Sequence, residues 1–364
     1  MMSLSRFRVI RRRLLQALPV LVLATFVVFG LLKLMPGDIA ITLAGENATE
    51  QRIHEIRALY GLDRPWLLQY GSWLGKAVQG DLSKSLATGE PVIESIARAF
   101  PNTLLIVVLA MSVALGLGVP LGLLAASRPD GLRDRVVTSV ASLGIAVPNF
   151  WLAMILVSGL ALGLGIPLGL LAASRPDGLR DRLVTSVASL GIAVPSFWLA
   201  MILVAWLALN FGWFPATGAV PLKDSIPQAL HHAILPALAL AAGGVAEVSR
   251  QLRSSLVEIL SSPHVRTLRA KGLSAGVILW KHGLKNAGVN LLTVSTLLFN
   301  RLLAATVVVE AVFAIPGMGN LIVNAALKRD LPVVQGVVFV MVLVVITVNL
   351  AADLLYTVLD PRIR

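Results

Sequence analysis

The sequence contains no cysteine, and only 14% of its 364 residues are charged. The absence of cysteine excludes disulfides, thiol catalysis and thiolate metal sites. Soluble globular proteins carry about a quarter charged residues, so the low charge argues against an ordinary soluble enzyme and against a disordered chain. The hydrophobic share is 57% and the mean hydropathy is +0.83, which is typical of a protein that crosses a membrane several times.

Common motifs of nucleotide-binding and enzymatic sites are also absent from the sequence. The sequence has no G-x-x-x-x-G-K-[ST] loop for nucleotide phosphates, no H-E-x-x-H and no G-x-S-x-G. His231 and His232 are adjacent, so they point to different faces of a helix and cannot form an i, i+4 metal pair. We therefore predict no catalytic residues, no metal site and no enzyme activity of this chain's own.

The net charge of +12 is distributed unevenly. In a soluble protein it would suggest nucleic acid, but no soluble basic domain exists here, and in a membrane protein it reflects Lys and Arg in cytoplasmic loops. Basic residues cluster in the first thirteen positions, at 128–135, 175–182 and 250–285, and at the C-terminus, whereas Lys33–Arg98 is close to neutral. The positive-inside rule predicts that both termini are cytoplasmic.

Apolar segments long enough to cross about 30 Å of hydrocarbon recur along the chain. The first, Leu14–Met35, is too long for a signal peptide and lacks its cleavage site, so we predict an uncleaved transmembrane helix. The others lie at roughly 102–126, 136–173, 183–209, 230–248, 287–309 and 333–356.

These segments predict an all-α, polytopic transmembrane helix bundle in three parts. Residues 1–35 form a basic N-terminus and the first helix, 36–101 an extracytoplasmic helical subdomain, and 102–364 the transmembrane core. In the subdomain, Trp66, Tyr70 and Trp73 either anchor at the membrane interface or pack a small core.

A direct repeat interrupts the core: residues 115–161 recur as 162–208 with five differences. Each copy contains the basic loop SRPDGLRDR, and an even number of crossings must separate two cytoplasmic loops. The linking segment 136–173 has 38 residues, just enough for two crossings of about 20 residues each. We predict an extra transmembrane hairpin; the alternatives are a re-entrant hairpin or exclusion of one copy from the bundle.

A short amphipathic helix is predicted in the basic segment 249–285. Pro263 is a favourable first residue and Gly272 a favourable stop. The apolar positions are Val265, Leu268 and Leu273, and the charged ones are Arg266, Arg269 and Lys271. Such a helix lies on anionic lipid or docks into a groove of a soluble partner, and physics alone leaves both open.

The run HVRTLRAKGLSAGVILWKHGLKNA resembles the "EAA" cytoplasmic loop of binding-protein-dependent ABC importer permeases. The resemblance is to the B-type permease of dipeptide, oligopeptide and nickel importers, and it covers nearly the whole chain apart from the extra copy. Further matching runs are RRRLLQALPVLVLATFVVFGLLKLMPGD, GLDRPWLLQYGSWLGKAVQGDLSKSL, AVPSFWLAMIL, VVVEAVFAIPGMGNLIVNAAL and NLAADLLYTVLDPRIR.

The resemblance implies a type I importer permease fold in the bacterial inner membrane, with about six spans plus the extra hairpin. It also implies partners: a second permease, two cytoplasmic subunits that use ATP and Mg²⁺, and an external substrate-binding protein. This chain itself would bind no cofactor. The implied substrate is a di- or oligopeptide, with nickel, a metal chelate or glutathione as the alternative.

The resemblance further implies that 258–276 is the coupling segment, whose helix, about Pro263–Ser274, sits in a groove of the ATPase. Ala270 and Gly272 would lie where a larger side chain clashes with that partner. The implied contact residues are Pro263, Arg266, Thr267, Arg269, Ala270, Lys271, Gly272 and Leu273.

Polar residues in the spans are the remaining candidates, because an ionisable group in a membrane segment is costly. Arg301, with Asn300 and Glu310, is predicted to line the translocation path; the alternative for Arg301 is a structural ion pair. The predicted outer turn contains Pro316, Gly317 and Gly319 and forms a gate, a binding-protein contact or a plain turn. A self-sufficient secondary transporter is the rival class, and it requires a buried coupling carboxylate, for which only Asp353 lies in the last span.

Overall fold

The computed structural model describes residues 4–34, 40–41, 49–60, 63–127, 134, 136–137, 201 and 204–359. Most of the predicted extra hairpin, that is residues 138–173 of the segment 136–173, and most of 183–209 lie outside the described residues, so the prediction for the repeat stays a prediction.

The described residues are mostly helical, and the only β pairing among them is an isolated bridge between Lys84 and Pro91. A π-helical segment covers Val204–Asn210, and a π-helical turn, Ile278–Gly283, lies within α7. The helices are α1 (Leu4–Leu34), α2 (Glu50–Tyr60), α3 (Trp66–Val78), α4 (Val92–Ala126), α5 (Ile226–Ser261), α6 (Pro263–Ala270), α7 (Ala275–Val312), α8 (Met318–Leu327) and α9 (Leu331–Leu359).

Three of these helices, α4, α7 and α9, are long and apolar enough to cross a membrane. They contain the apolar segments predicted at 102–126, 287–309 and 333–356, which are confirmed as helices. α5 is a fourth candidate span, bent by 49° between Ile226–Ala241 and Gly243–Ser261. Gly243 and Gly244 lie at the bend, and adjacent glycines are a common cause of helix kinks.

The chain divides into two compact units. The first comprises Met1–Asn102 and Pro316–Leu354. In its core, the Tyr70 hydroxyl donates to the Val22 carbonyl at 2.9 Å, and Trp73 meets Phe339 edge to face with ring centroids 6.0 Å apart. Tyr70 and Trp73 therefore pack the core of this unit, whereas the Trp66 side chain is 47% exposed.

A buried carboxylate fastens the loop before α4 to the start of α9. Asp330 is 3% exposed and directly precedes α9. It accepts hydrogen bonds from the Ser85 hydroxyl at 2.5 Å, from the Leu86 amide at 3.1 Å and from the Ala87 amide at 3.3 Å. The loop therefore has a fixed position although it contains almost no regular structure.

Glu90 lies at the end of the same loop, two residues before α4 begins. It accepts hydrogen bonds from Arg98 at 2.6 Å and from Ser95 at 2.9 Å. These hydrogen bonds, that from Arg98 first, lower the pKa of Glu90. The carboxylate therefore stays charged at neutral pH, beside the positive end of the helix dipole.

The second unit comprises Thr103–Ile315 and Leu355–Arg364. Within it, α5 packs along α7, and Gly118 and Gly122 of α4 touch α5 directly. Small residues let two helix backbones approach closely, which is the usual packing mode of helices in membranes.

Replacing Asp330 with alanine tests the importance of the buried carboxylate. The variant leaves the buried Ser85 hydroxyl and the Leu86 and Ala87 amides without their acceptor, and an unsatisfied buried donor costs about 1–3 kcal/mol. We expect the free energy of unfolding in mild detergent to fall by about that amount. Asp224, which is exposed, supplies the control Asp224→Ala, and equal stability of the two variants would contradict the interpretation.

Candidate functional site

The short helix α6 forms where the sequence predicts it. Pro263 occupies the first helical position, where its missing N–H costs nothing. Only Val265 of its eight residues is buried, at 1% exposure. The contact residues implied by the resemblance are therefore open to a partner: Pro263, Arg266, Thr267, Arg269, Ala270, Lys271 and Gly272 are exposed, and Leu273 is half-buried.

Gly272 ends the helix in a Schellman motif. Its N–H donates to the Arg269 carbonyl at 2.9 Å, and the Leu273 N–H donates to the Leu268 carbonyl at 3.2 Å. This pattern requires a left-handed residue at the first position after the cap, and Gly272 has φ +79°. A Cβ added at Gly272 would meet no atom of this chain within 4 Å. Within this chain, glycine is therefore needed for the left-handed backbone conformation, and not because a side chain would clash.

Both ends of α6 continue into long helices. Ser262 separates α6 from α5, and Ser274 caps α7 by accepting from the Val277 amide at 3.5 Å. The first turns of α7 pack back onto α5, since Leu279 joins Leu252 and Leu256 in one buried cluster. A displacement of α6 must therefore move the ends of both helices.

The exposed side of α6 is cationic. Among the described residues, Arg266, Arg269 and Lys271 make no ion pair, so these charges are available to a polar or acidic partner surface. The His264 ring of α6 lies near the His282 ring, with centroids 6.3 Å apart.

Arg301 forms a two-pronged ion pair with Glu247 of α5. Its Nη1 lies 2.6 Å from Oε2 and its Nη2 lies 2.9 Å from Oε1. The Arg301 side chain is 61% exposed, whereas that of Glu247 is 22% exposed. Sequence reasoning missed Glu247, although its position at the end of the apolar segment 230–248 was a usable signal.

Glu310, which was also predicted for the path, lies apart from this pair. Glu310 is completely buried in the last turn of α7 and accepts a 2.5 Å hydrogen bond from the Thr103 hydroxyl. At 1.5 Å per residue, Glu310 is about 13 Å from Arg301 along the helix. Asn300 is half-buried next to Arg301. The three residues do not form a single cluster, and their part in the path stays a prediction.

The predicted turn containing Pro316, Gly317 and Gly319 joins α7 to α8. Pro316 is exposed, and its carbonyl accepts from the Asn102 side chain at 2.9 Å. Gly317 and Gly319 are buried at the start of α8. Their role as a gate or a docking point stays a prediction.

Asp353, the carboxylate that a coupled secondary transporter would need, is paired with Arg13. The Arg13 Nε and Nη2 atoms each lie 2.8 Å from one Asp353 oxygen. The Asp353 carboxylate is therefore engaged in an ion pair within this chain. Among the described residues, moreover, no group of three or more His, Cys, Asp or Glu side chains is placed to hold a metal ion.

Two family models match the chain. The model described as "Binding-protein-dependent transport system inner membrane component" covers residues 165–364, and the one for the N-terminal region of such membrane components covers 6–107. A putative peptide transport system permease protein of Brucella abortus is 36% identical over 355 residues, 98% of each chain.

Other curated relatives carry related names. The oligopeptide transport system permease protein AppB of Bacillus subtilis is 33% identical and covers 97% of this chain and 98% of its own. The glutathione transport system permease protein GsiC of Escherichia coli is also 33% identical, over 97% of both chains.

Substitutions at Gly272 test whether its backbone conformation sets the end of α6. A left-handed non-glycine residue costs roughly 1–2 kcal/mol, so Gly272→Ala should speed amide hydrogen exchange at Leu273 by about tenfold. Gly272→Asn should change it less, because asparagine tolerates this conformation. The matched control is Gly276→Ala, since Gly276 is exposed with ordinary helical geometry; equal effects at both glycines would contradict the assignment.

Proposed function

The chain belongs to the family of binding-protein-dependent transport system inner membrane components, and we propose that it is the permease subunit of an ABC importer of di- or oligopeptides. It is a multi-pass inner-membrane protein. The observation that carries the proposal is α6, a short cationic helix held between two long apolar helices, in a chain that matches peptide permeases over nearly its whole length.

The proposed importer needs further subunits. Because the sequence has no phosphate-binding loop, the energy would come from two cytoplasmic ATP-binding subunits. A second permease would complete the path, and an external binding protein would deliver the peptide. The basic N-terminal residues and the cationic α6 support a cytoplasmic location of both termini and of α6.

α6 would be the element that couples ATP use to transport. Its buried Val265 faces this chain, and its exposed cations and Gly272 turn would face the groove of an ATP-binding subunit. When ATP closes the ATPase dimer, α6 would move with its groove and carry the ends of α5 and α7. The spans would then alternate between inward-facing and outward-facing arrangements.

The Glu247–Arg301 pair would contribute to the path. An exposed guanidinium in the middle of a span cannot face hydrocarbon without a large cost, so this side of the pair would face water in the path. The guanidinium has five N–H donors, and Glu247 occupies two of them. The remaining donors would attract the terminal carboxylate of a passing peptide.

Glutathione is the second candidate substrate, and the observation that favours it is the relative named as a glutathione permease. Purified complex in proteoliposomes, supplied with the binding protein, should accumulate the substrate only when ATP is present on the ATPase side. Uptake of glutathione with no uptake of dipeptides would favour this second candidate.

Charge reversal on α6 tests the coupling role. The double variant Arg266→Glu with Arg269→Glu should insert and fold, because both side chains are exposed. Unfavourable charges in a docked groove cost several kcal/mol, so at least about tenfold less of the ATP-binding subunits should be recovered on affinity purification. The control is Lys223→Glu in the exposed loop before α5; undiminished recovery by the double variant would overturn the docking role.

Neutral variants of the ion pair separate a role in the path from a structural role. Arg301→Gln alone leaves Glu247 uncompensated and should reduce folded yield. Adding Glu247→Gln should restore the yield and the bound ATPase subunits, yet peptide uptake should stay about tenfold lower, since a charge-assisted hydrogen bond to the substrate is lost. Restoration of uptake along with the yield would show that the pair is purely structural.

A further inference from the structure

The helices α4 and α5 make a close contact at Gly118 and Gly122 of α4, where no side chain would fit. A Cβ on Gly118 would lie 2.8 Å from the Val248 Cβ, and a Cβ on Gly122 would lie 2.8 Å from the Ser249 carbonyl oxygen and 3.0 Å from the Leu252 Cβ. These separations are shorter than any normal carbon contact. The first repeat copy, which begins at residue 115, supplies both glycines.

The same copy extends the contact along α5. Leu123 and Ala126 join Leu252 and Leu256 in a buried cluster. Beyond the helix, the buried Asp134 forms an ion pair with Arg253. We name the α5 side of this contact the docking surface; it consists of Val245, Val248, Ser249, Leu252, Arg253 and Leu256.

The second copy repeats all but one of the first-copy residues that pack against the docking surface. Residues 162–182 are identical to 115–135 except for Ile166 in place of Val119. The equivalents at the offset of 47 positions are Gly165, Gly169, Leu170, Ala173 and Asp181. A difference of one methylene at a half-buried position is small beside a contact made by five identical residues.

The structure and the family match point to different repeat copies as the partner of α5. The structure places residues of the first copy, among them Gly118, Gly122 and Asp134, against α5. The family model matches residues 165–364, which begin inside the second copy and include α5. We propose that residues 162–182 are an alternative occupant of the docking surface, and that the two copies compete for it.

The competition is biased toward the first copy by the residues that precede it. Ala114, whose Cβ lies 3.0 Å from the Cβ position of Gly244, has an identical counterpart in Ala161. Thr103, which donates to the buried Glu310, instead has Phe150 as its counterpart, and phenylalanine donates no hydrogen bond. The first copy should therefore be preferred by about tenfold or more.

Blocking each copy in turn tests the proposal. Gly118→Leu with Gly122→Leu blocks the first copy, Gly165→Leu with Gly169→Leu blocks the second, and a quadruple variant blocks both. Folded yield in mild detergent should stay within a few-fold of wild type for either double variant and fall at least about tenfold for the quadruple variant, since overpacking a close helix contact is strongly destabilising. A first-copy block as damaging as the quadruple variant, or a quadruple variant that folds normally, would overturn the proposal.

Disulfide trapping identifies the occupant directly, because the chain has no cysteine of its own. With the first copy intact, Gly122→Cys and Leu252→Cys should cross-link efficiently, and Gly169→Cys with Leu252→Cys at most about a tenth as much. After Gly118→Leu is added, the second pair should cross-link efficiently within one chain. A folded protein in which the second pair still fails to react would contradict the proposal, as would disulfide-linked dimers in place of the internal cross-link.

Discussion

A charge in an apolar helix bundle is costly unless a partner neutralises it, and this constraint explains three of the long-range contacts in the two units. Arg13 holds Asp353, Arg301 holds Glu247, and Arg253 holds Asp134. In each pair the partners come from distant parts of the chain. The ion pairs therefore help to determine which helices become neighbours. The close-packed glycines do the same through shape alone.

Local features of the fold were predictable because they depend on residues a few positions apart. The apolar runs predicted α4, α7 and α9, and Pro263 with Gly272 predicted both ends of α6. The role of Asp330 was not predictable, because its partner Ser85 lies 245 positions away and no periodicity connects the two. Arg301 was found as a costly residue in a span, but Glu247 was missed for the same reason.

The sequence comparisons and the geometry support different parts of the functional interpretation. Relatives named for peptides and glutathione indicate what an importer of this family carries. The geometry of α6 indicates how motion would enter the membrane part, because the Schellman turn and the Leu279 cluster join this helix to α5 and α7.

Because α5 is bent, rotation at the bend would move the two parts of this helix relative to each other. The part after the bend, Gly243–Ser261, is about 28 Å long at 1.5 Å per residue. A rotation of only about 10° at the glycine pair would move the α6 end by about 5 Å, roughly one helical turn. Glu247 lies one turn beyond the pivot and would move by about 1 Å. A large displacement of α6 would thus become a small displacement beside Arg301.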